Sequence, residues 1–194
     1  HANGFINNST TFNGDQLTFP KLLQQNGYQT AMIGKWHLIS DPTGFDFWNI
    51  VPGQGDYYNP EFINMDGSRT QHKGYMTNIV TDKAIDWMEN RDKSKPFALI
   101  VGHKAPHRNW IPAPRHLKAV KEYVSKLTPP DTLMDDYANR PEFMRHNRQS
   151  VLWDMCNWND NHLNEKEIPF DVMKEIVPKW ALRNGGAEIV HGHV

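Results

Sequence analysis

Two apolar runs in this chain end in cationic or titratable side chains. "GYQTAMIGKWH", Gly27 to His37, closes a strand-type run with Lys35, Trp36 and His37. "FALIVGHKAPH", Phe97 to His107, closes a second with His103 and His107. Side chains i and i+2 of a strand share a face. Lys35 and His37 therefore project to one side if the strand runs through them, with Trp36 on the other. A lysine and several imidazoles converging on one spot would make a site for an anion. Such donors hold tetrahedral oxygens and stabilise the charge that builds up during group transfer. Each pair alone also fits a solvated strand edge or a histidine that braces a Pro-rich loop. Their recurrence at equivalent ends of two units is what points to a site.

The elements that must position these groups follow from local pattern. Thr18 is a fair N-cap, with Pro20 in the first helical turn where its missing N–H costs nothing. Phe19, Leu22 and Leu23 form one apolar helix face, and Gly27 suits the position that stops the helix. Tyr28 to Ile33 then read as a buried strand. The pattern repeats in "VTDKAIDWMENRDKSKPFALIVGH". There Thr81 is the expected N-cap, Asp82 lies in the first turn, and Ile85 and Met88 supply the apolar stripe. Lys95-Pro96 ends the link before a six-residue apolar run. A run apolar at every position suits a strand covered on both faces, as in a parallel sheet. Two helix–strand units in series predict an α/β sandwich. Ligands in open α/β sheets bind beyond the carboxyl ends of the strands, which is where Lys35, His37, His103 and His107 fall.

Between the units, "SDPTGFDFWNIVPGQGDYYNPEFINMDGSRTQHKGY" is dense in Gly, Pro, Asp and Asn and reads as a loop region, with a small hairpin around Asp66-Gly67. After Trp110, "PAPRHLKAVKEYVSKL" reads as an amphipathic helix, and the remainder is polar and interrupted by proline. Tyr57, Tyr58 and Trp110 lie in loops flanking the expected site and are candidates for stacking on a sugar ring. Trp153 and Trp158 read as packing residues, and His191 and His193 as part of a frayed terminus.

The 194 residues carry a net charge of −1, which gives no electrostatic case for nucleic acid or an anionic membrane surface. There is no apolar run of the roughly 18 residues a membrane span needs. A single cysteine, Cys156, excludes an internal disulfide. The opening "HANGFINNSTTFNG" lacks an initiator Met and reads as the middle of something, so a fragment or processed chain is expected.

"GYQTAMIGKWH" resembles the second signature of the sulfatase family, G-Y-x-T-x-x-x-G-K-x-H, at Gly27, Tyr28, Thr30, Gly34, Lys35 and His37. "KPFALIVGHKAPHRNWIPAPRH" is similar to the later sulfatase segment in which a strand precedes an Ala-Pro-His turn. "HANGF", "VTDKAIDWM" and "GQGDYYNPEF" resemble the same family, closest to bacterial enzymes acting on N-acetylglucosamine-6-sulfate and heparin-type sugars. The resemblance is strong over residues 1–120 and weak over 121–194, which is expected to be an irregular or helical insertion. It implies a partial alkaline-phosphatase-like sandwich, a mostly parallel sheet between helices. Residues 1–194 would be a fragment of a sulfatase N-terminal catalytic domain.

The resemblance also implies roles. Lys35 would contact a sulfate oxygen and the nucleophile. His37 would hydrogen-bond the nucleophile and help break down the sulfated intermediate. His107 would bind near the bridging oxygen and help protonate the leaving alcohol, and His103 would contact substrate or support the loop. Sulfatases use a formylglycine made in a C/S-x-P-S-R motif, which this sequence lacks, and a calcium ion whose Asp, Asn or Gln ligands are expected outside the chain. Cys156, in "WDMCNWND", reads as an ordinary thiol, and Met134 to Asp136 and Asn157 to Asn161 read as turns and caps. The isolated chain is therefore expected to be inactive. The implied partner is a sulfated carbohydrate, and the implied compartment is secreted, periplasmic or lysosomal. Two other readings stand: a metal-dependent phosphatase or phosphodiesterase of the same superfamily, and a catalytically dead module that binds sulfated glycans.

Overall fold

The computed structural model describes residues 2–108, 110–124, 126–131 and 137–145. The chain divides into two compact units, His1–His107 and Arg108–Val194. Cys156, Trp153, Trp158, His191, His193, Met134 to Asp136 and Asn157 to Asn161 lie outside the described residues.

The first unit is built on a five-stranded sheet. Its strands are β1 (Gln29–Trp36), β2 (Phe47–Pro52), β3 (Glu61–Asn64), β4 (Arg69–Gln71) and β5 (Phe97–Gly102), in the order β4-β3-β2-β1-β5. β1 lies between β2 and β5 and runs parallel to both. β3 and β4 add antiparallel at the far edge as the expected hairpin, with Asp66 and Gly67 in the turn. The sheet is thus mixed, with its parallel half around β1.

β2 lies inside the segment read as a loop. Its core residues Trp48, Ile50 and Val51 are buried. Aromatic and β-branched residues favour a strand there, but the Gly, Pro and Asp around them mask so short a run.

The two faces of the sheet are covered by different helices. Ala31 and Ile33 of β1 pack with Val51 and with Met76, Val80, Ala84 and Trp87 of α2 (Met76–Asn90). Met32 packs on the opposite face with Trp48 and Ile50, next to Trp36, Phe45 and Ile100. That face also bears α1 (Phe19–Gln25), whose Pro20 lines a hollow of about 230 Å³ with Trp36, Phe45 and Ile100.

α1 ends as its sequence predicts. Gly27 adopts φ 80°, and the Gly27 and Tyr28 N–H groups donate back to the carbonyls of Gln24 and Leu23. Its start differs. Thr18 occupies the cap position, but its hydroxyl makes no capping bond and is buried without a partner. Asp46 ties the helix to the sheet: its carboxylate accepts hydrogen bonds from the Thr30 N–H at 2.7 Å and from the Gln24 amide at 2.8 Å.

α2 corrects two expectations. It begins at Met76, so Thr81 lies within the helix, where its hydroxyl donates to the Thr77 carbonyl at 2.7 Å. The buried stripe runs Met76, Val80, Ala84, Trp87, and Ile85 faces solvent. Val80 and Met76 extend the i, i+4 series one and five residues upstream of the apparent cap, and burying them outweighs the capping preference of a threonine. Met76→Ala is therefore expected to destabilise the protein by about 2–5 kcal/mol, and Ile85→Ala by no more than about 0.5 kcal/mol. Urea melts of the two variants check this.

β5 matches the predicted run residue for residue, but Phe97 and Val101 are exposed, because β5 is an edge strand among the described residues. In the second unit, a 3-10 turn at Pro114–His116 leads into α3 (Leu117–Val124), as the amphipathic pattern predicts.

Candidate functional site

The site is organised by the parallel register of β1 and β5, in which Gly34 stands opposite Gly102. Gly34 has φ 105°, a conformation that side chains rarely adopt. A Cβ on Gly34 would lie 2.1 Å from the Gly102 carbonyl oxygen, and one on Gly102 would lie 2.6 Å from the Lys35 carbonyl oxygen. Neither glycine thus has room for a side chain, just before the strands release their chemical residues. Lys35 follows Gly34 within β1, and His103 follows Gly102 directly after β5.

Lys35 is half-buried, and its Nζ donates to Oε1 of Gln54 at 2.6 Å. Gln54 sits in the loop between β2 and β3, between Gly53 and Gly55, which both adopt positive φ. The Gln54 main-chain oxygen accepts a second ammonium, Lys104 Nζ, at 3.2 Å. Lys104 is only 9% exposed, and its ammonium lies 5.1 Å from the centre of the Tyr57 ring. Tyr57 Oη donates to the His107 carbonyl at 2.5 Å, and the His107 N–H donates to the Lys104 carbonyl at 2.8 Å. The last bond closes a turn that contains the cis Ala105-Pro106 peptide.

Three groups of this network titrate away from their ordinary values. Burial pushes the Lys35 ammonium down, and the nearby Lys104 charge pushes it further. Burial likewise lowers Lys104, partly opposed by the Asp56 carboxylate. Burial and the neighbouring Tyr75 raise Tyr57, which keeps its phenol protonated and donating. Two ammoniums thus bond to one loop residue beside the end of β1, with the Asp56 carboxylate acting on Lys104.

The structure treats the expected residues differently. Lys35, Tyr57 and the His107 main chain join one network with Gln54 and Lys104. His37 lies just past the end of β1 and is half-buried, as is His107, while His103 is exposed. Tyr57 is 4% exposed and stacks on Tyr75, with ring centres 6.1 Å apart. Its faces are occupied by Tyr75 and the Lys104 ammonium, so the ring is support rather than surface. Tyr58 is exposed and contacts Tyr75. Trp110 belongs to the second unit, where it is exposed with φ 47°.

Sequence reasoning passed over Gln54 and Lys104. Lys104 stood in "GHKAPH" between two more conspicuous histidines, and nothing in the Gly-flanked Gln54 marks its role until the loop is folded. Tyr57→Phe keeps the ring and removes the bond to His107. It is expected to cost about 1 kcal/mol, read as a lower melting temperature.

Calcium takes about six to eight oxygen ligands. Among the described residues no group of three or more His, Cys, Asp or Glu could hold a metal ion, so no calcium ligand set is assigned to them. No described helix is long and apolar enough to cross a membrane.

The family model described as Sulfatase matches residues 1–151. An N-acetylglucosamine-6-O-sulfatase of Bacteroides thetaiotaomicron is 52% identical over 180 residues, covering 91% of this chain and 32% of that protein. The human N-acetylglucosamine-6-sulfatase is 27% identical over 118 residues, covering 53% of this chain and 21% of that protein. A solved structure in complex with its substrate, D-glucosamine-2-N,6-O-disulfate, superposes with a TM-score of 0.76 at 47% identity, covering 98% of this chain and 40% of that one. The chain spans about a third of the length of the bacterial relative it matches.

Proposed function

Because the chain belongs to the sulfatase family, we propose that the protein carrying it hydrolyses a sulfate ester on an amino sugar, with the 6-O-sulfate of a glucosamine unit as the substrate class. The observation that carries this reading is the 52% identity to an N-acetylglucosamine-6-O-sulfatase over 91% of the chain. The adjacent ends of β1 and β5 supply the chemistry to go with it.

The Lys35 ammonium, at the end of β1, binds a sulfate oxygen and stabilises the negative charge that builds in the transition state. His37, one residue past β1, hydrogen-bonds on the side from which the sulfur is attacked. His107 lies near the bridging oxygen and protonates the leaving alcohol, which lowers the barrier because charge develops on that oxygen. Tyr57 holds the His107 main chain and does not stack on the sugar. His103, Tyr58 and Trp110 remain candidates for sugar contact. The sequence carries no C/S-x-P-S-R motif, in which the family's formylglycine is made. The exported compartment expected for the family belongs to the same proposal.

The test is release of inorganic sulfate by the full-length protein from glucosamine-6-O-sulfate, beside phosphate release from glucosamine-6-phosphate. Sulfate release supports the reading. Preferential phosphate release favours the phosphatase alternative, and binding of the sulfated sugar without turnover favours the glycan-binding module. The isolated 194-residue chain is expected to release no sulfate above background.

A further inference from the structure

We propose that Lys104 and Gln54 form a relay that positions the Lys35 ammonium: Lys104 pins the main chain of the loop between β2 and β3, and the Gln54 side chain on that loop holds Lys35 Nζ. The inference rests on the reading that Lys35 binds the sulfate, and it assigns a purpose to two residues that reading leaves unexplained.

Lysine is a compact charge on a flexible four-carbon stem, so aiming it at one oxygen requires something to hold it. The holder is Gln54 Oε1, 2.6 Å away. Gln54 is itself exposed, and the glycines on both sides of it give the loop little stiffness of its own. What fixes the loop comes from the other strand. Lys104, two residues past β5, reaches across to the Gln54 carbonyl at 3.2 Å.

Burying an ammonium is costly unless it is paired and hydrogen-bonded. Lys104 is nevertheless only 9% exposed; its ammonium donates to the Gln54 carbonyl, lies over the face of Tyr57 and is partly offset by the Asp56 carboxylate. An apolar side chain would fill that space without the desolvation cost. The ammonium is explained by the bond it makes: it couples the end of β5 to the loop that orients Lys35. The downward push of the Lys104 charge on Lys35 is consistent with the two ammoniums lying close together. Lys104 and Gln54 are positioning residues, acting on the sulfate through Lys35.

The test uses the full-length protein and two readouts. Kinetics of sulfate release compare wild type with Lys104→Met, Gln54→Ala, Lys104→Arg and the double variant Lys104→Met/Gln54→Ala. Each of Lys104→Met and Gln54→Ala is expected to lower kcat/KM about tenfold, the effect of losing one hydrogen bond to a charged group. The double variant should be no worse than the weaker single, because one relay is broken once. Lys104→Arg should recover most of the loss. Crystal structures of wild type and Lys104→Met form the second readout, with Lys35 Nζ expected to leave Gln54 in the variant.

Wild-type kcat/KM in Lys104→Met, or a double variant showing the product of the two single losses, overturns the relay. So does a Lys104→Met crystal structure that retains the Lys35–Gln54 bond. If Lys104→Met does not fold, Gln54→Ala at an exposed position decides, and wild-type kcat/KM there overturns the relay. Failure of the wild type to release sulfate sinks the functional reading instead, and the two crystal structures then decide the relay by themselves.

Discussion

Lys35→Ala is expected to lower kcat/KM for a sulfate ester by about 10²–10³-fold in the full-length protein, the cost typical of removing one preorganised donor from a developing oxyanion. The basis is the position of the ammonium. It follows Gly34, where β5 leaves no room for a side chain, and is held by Gln54. The fold should be unaffected, because Lys35 is half-buried at the end of its strand and makes no salt bridge among the described residues. An unchanged melting temperature with lost turnover would confirm that the residue acts on substrate. Turnover near the wild-type level would remove Lys35 from the site.

The same group sets a pH dependence. Burial and the Lys104 charge lower the Lys35 pKa, so the ammonium is lost at a lower pH than in an ordinary lysine. Sulfate binding is intact below that lowered pKa and weakens as pH rises through it. Lys104→Met removes the like charge and lets the Lys35 pKa rise, so the alkaline limb of the kcat/KM profile should move to higher pH. A limb that stays in place would show that the two ammoniums do not interact.

The second large effect is structural. Gly34→Ala is expected to destabilise the protein by about 2–5 kcal/mol. Forcing a side chain into a left-handed conformation costs about 1–2 kcal/mol, and overpacking costs a further 1–3 kcal/mol. At φ 105°, with the Gly102 carbonyl oxygen 2.1 Å from the added Cβ, both apply, and the obstacle is main chain that cannot swing aside. Gly27→Ala is the matched control. Gly27 also has positive φ, 80°, but nothing lies within 4 Å of its added Cβ, so only the conformational cost of about 1–2 kcal/mol remains. Set against a total stability of about 5–15 kcal/mol, the first loss should appear as poor soluble yield or a melting temperature lowered by many degrees. Similar melting temperatures for the two variants would refute the close-approach argument.

Much of this was legible in the chain. The apolar run Phe97–Gly102, the stop at Gly27 and the hairpin at Asp66-Gly67 follow from propensity and period. These are short-range effects that a few neighbouring residues decide. The same information placed Lys35 and His103 at one end of adjacent strands, because parallel pairing fixes which ends meet.

Other features depended on residues far apart in the chain. The burial of α2 turned on Met76 and Val80 meeting Ala31 and Ile33, which outweighed the local capping preference of Thr81. β2 became a strand because β1 was there to pair with it. Tyr57 left the expected sugar surface for the interior because Tyr75, Lys104 and the His107 carbonyl took up its ring and hydroxyl. The amino-acid sequence by itself determined which chemical groups stand at the strand ends. Only the tertiary structure decided what holds them, since the bonds from Gln54 to Lys35 and Lys104 span 19 and 50 residues of chain, and no local pattern encodes a contact made only when those segments fold together.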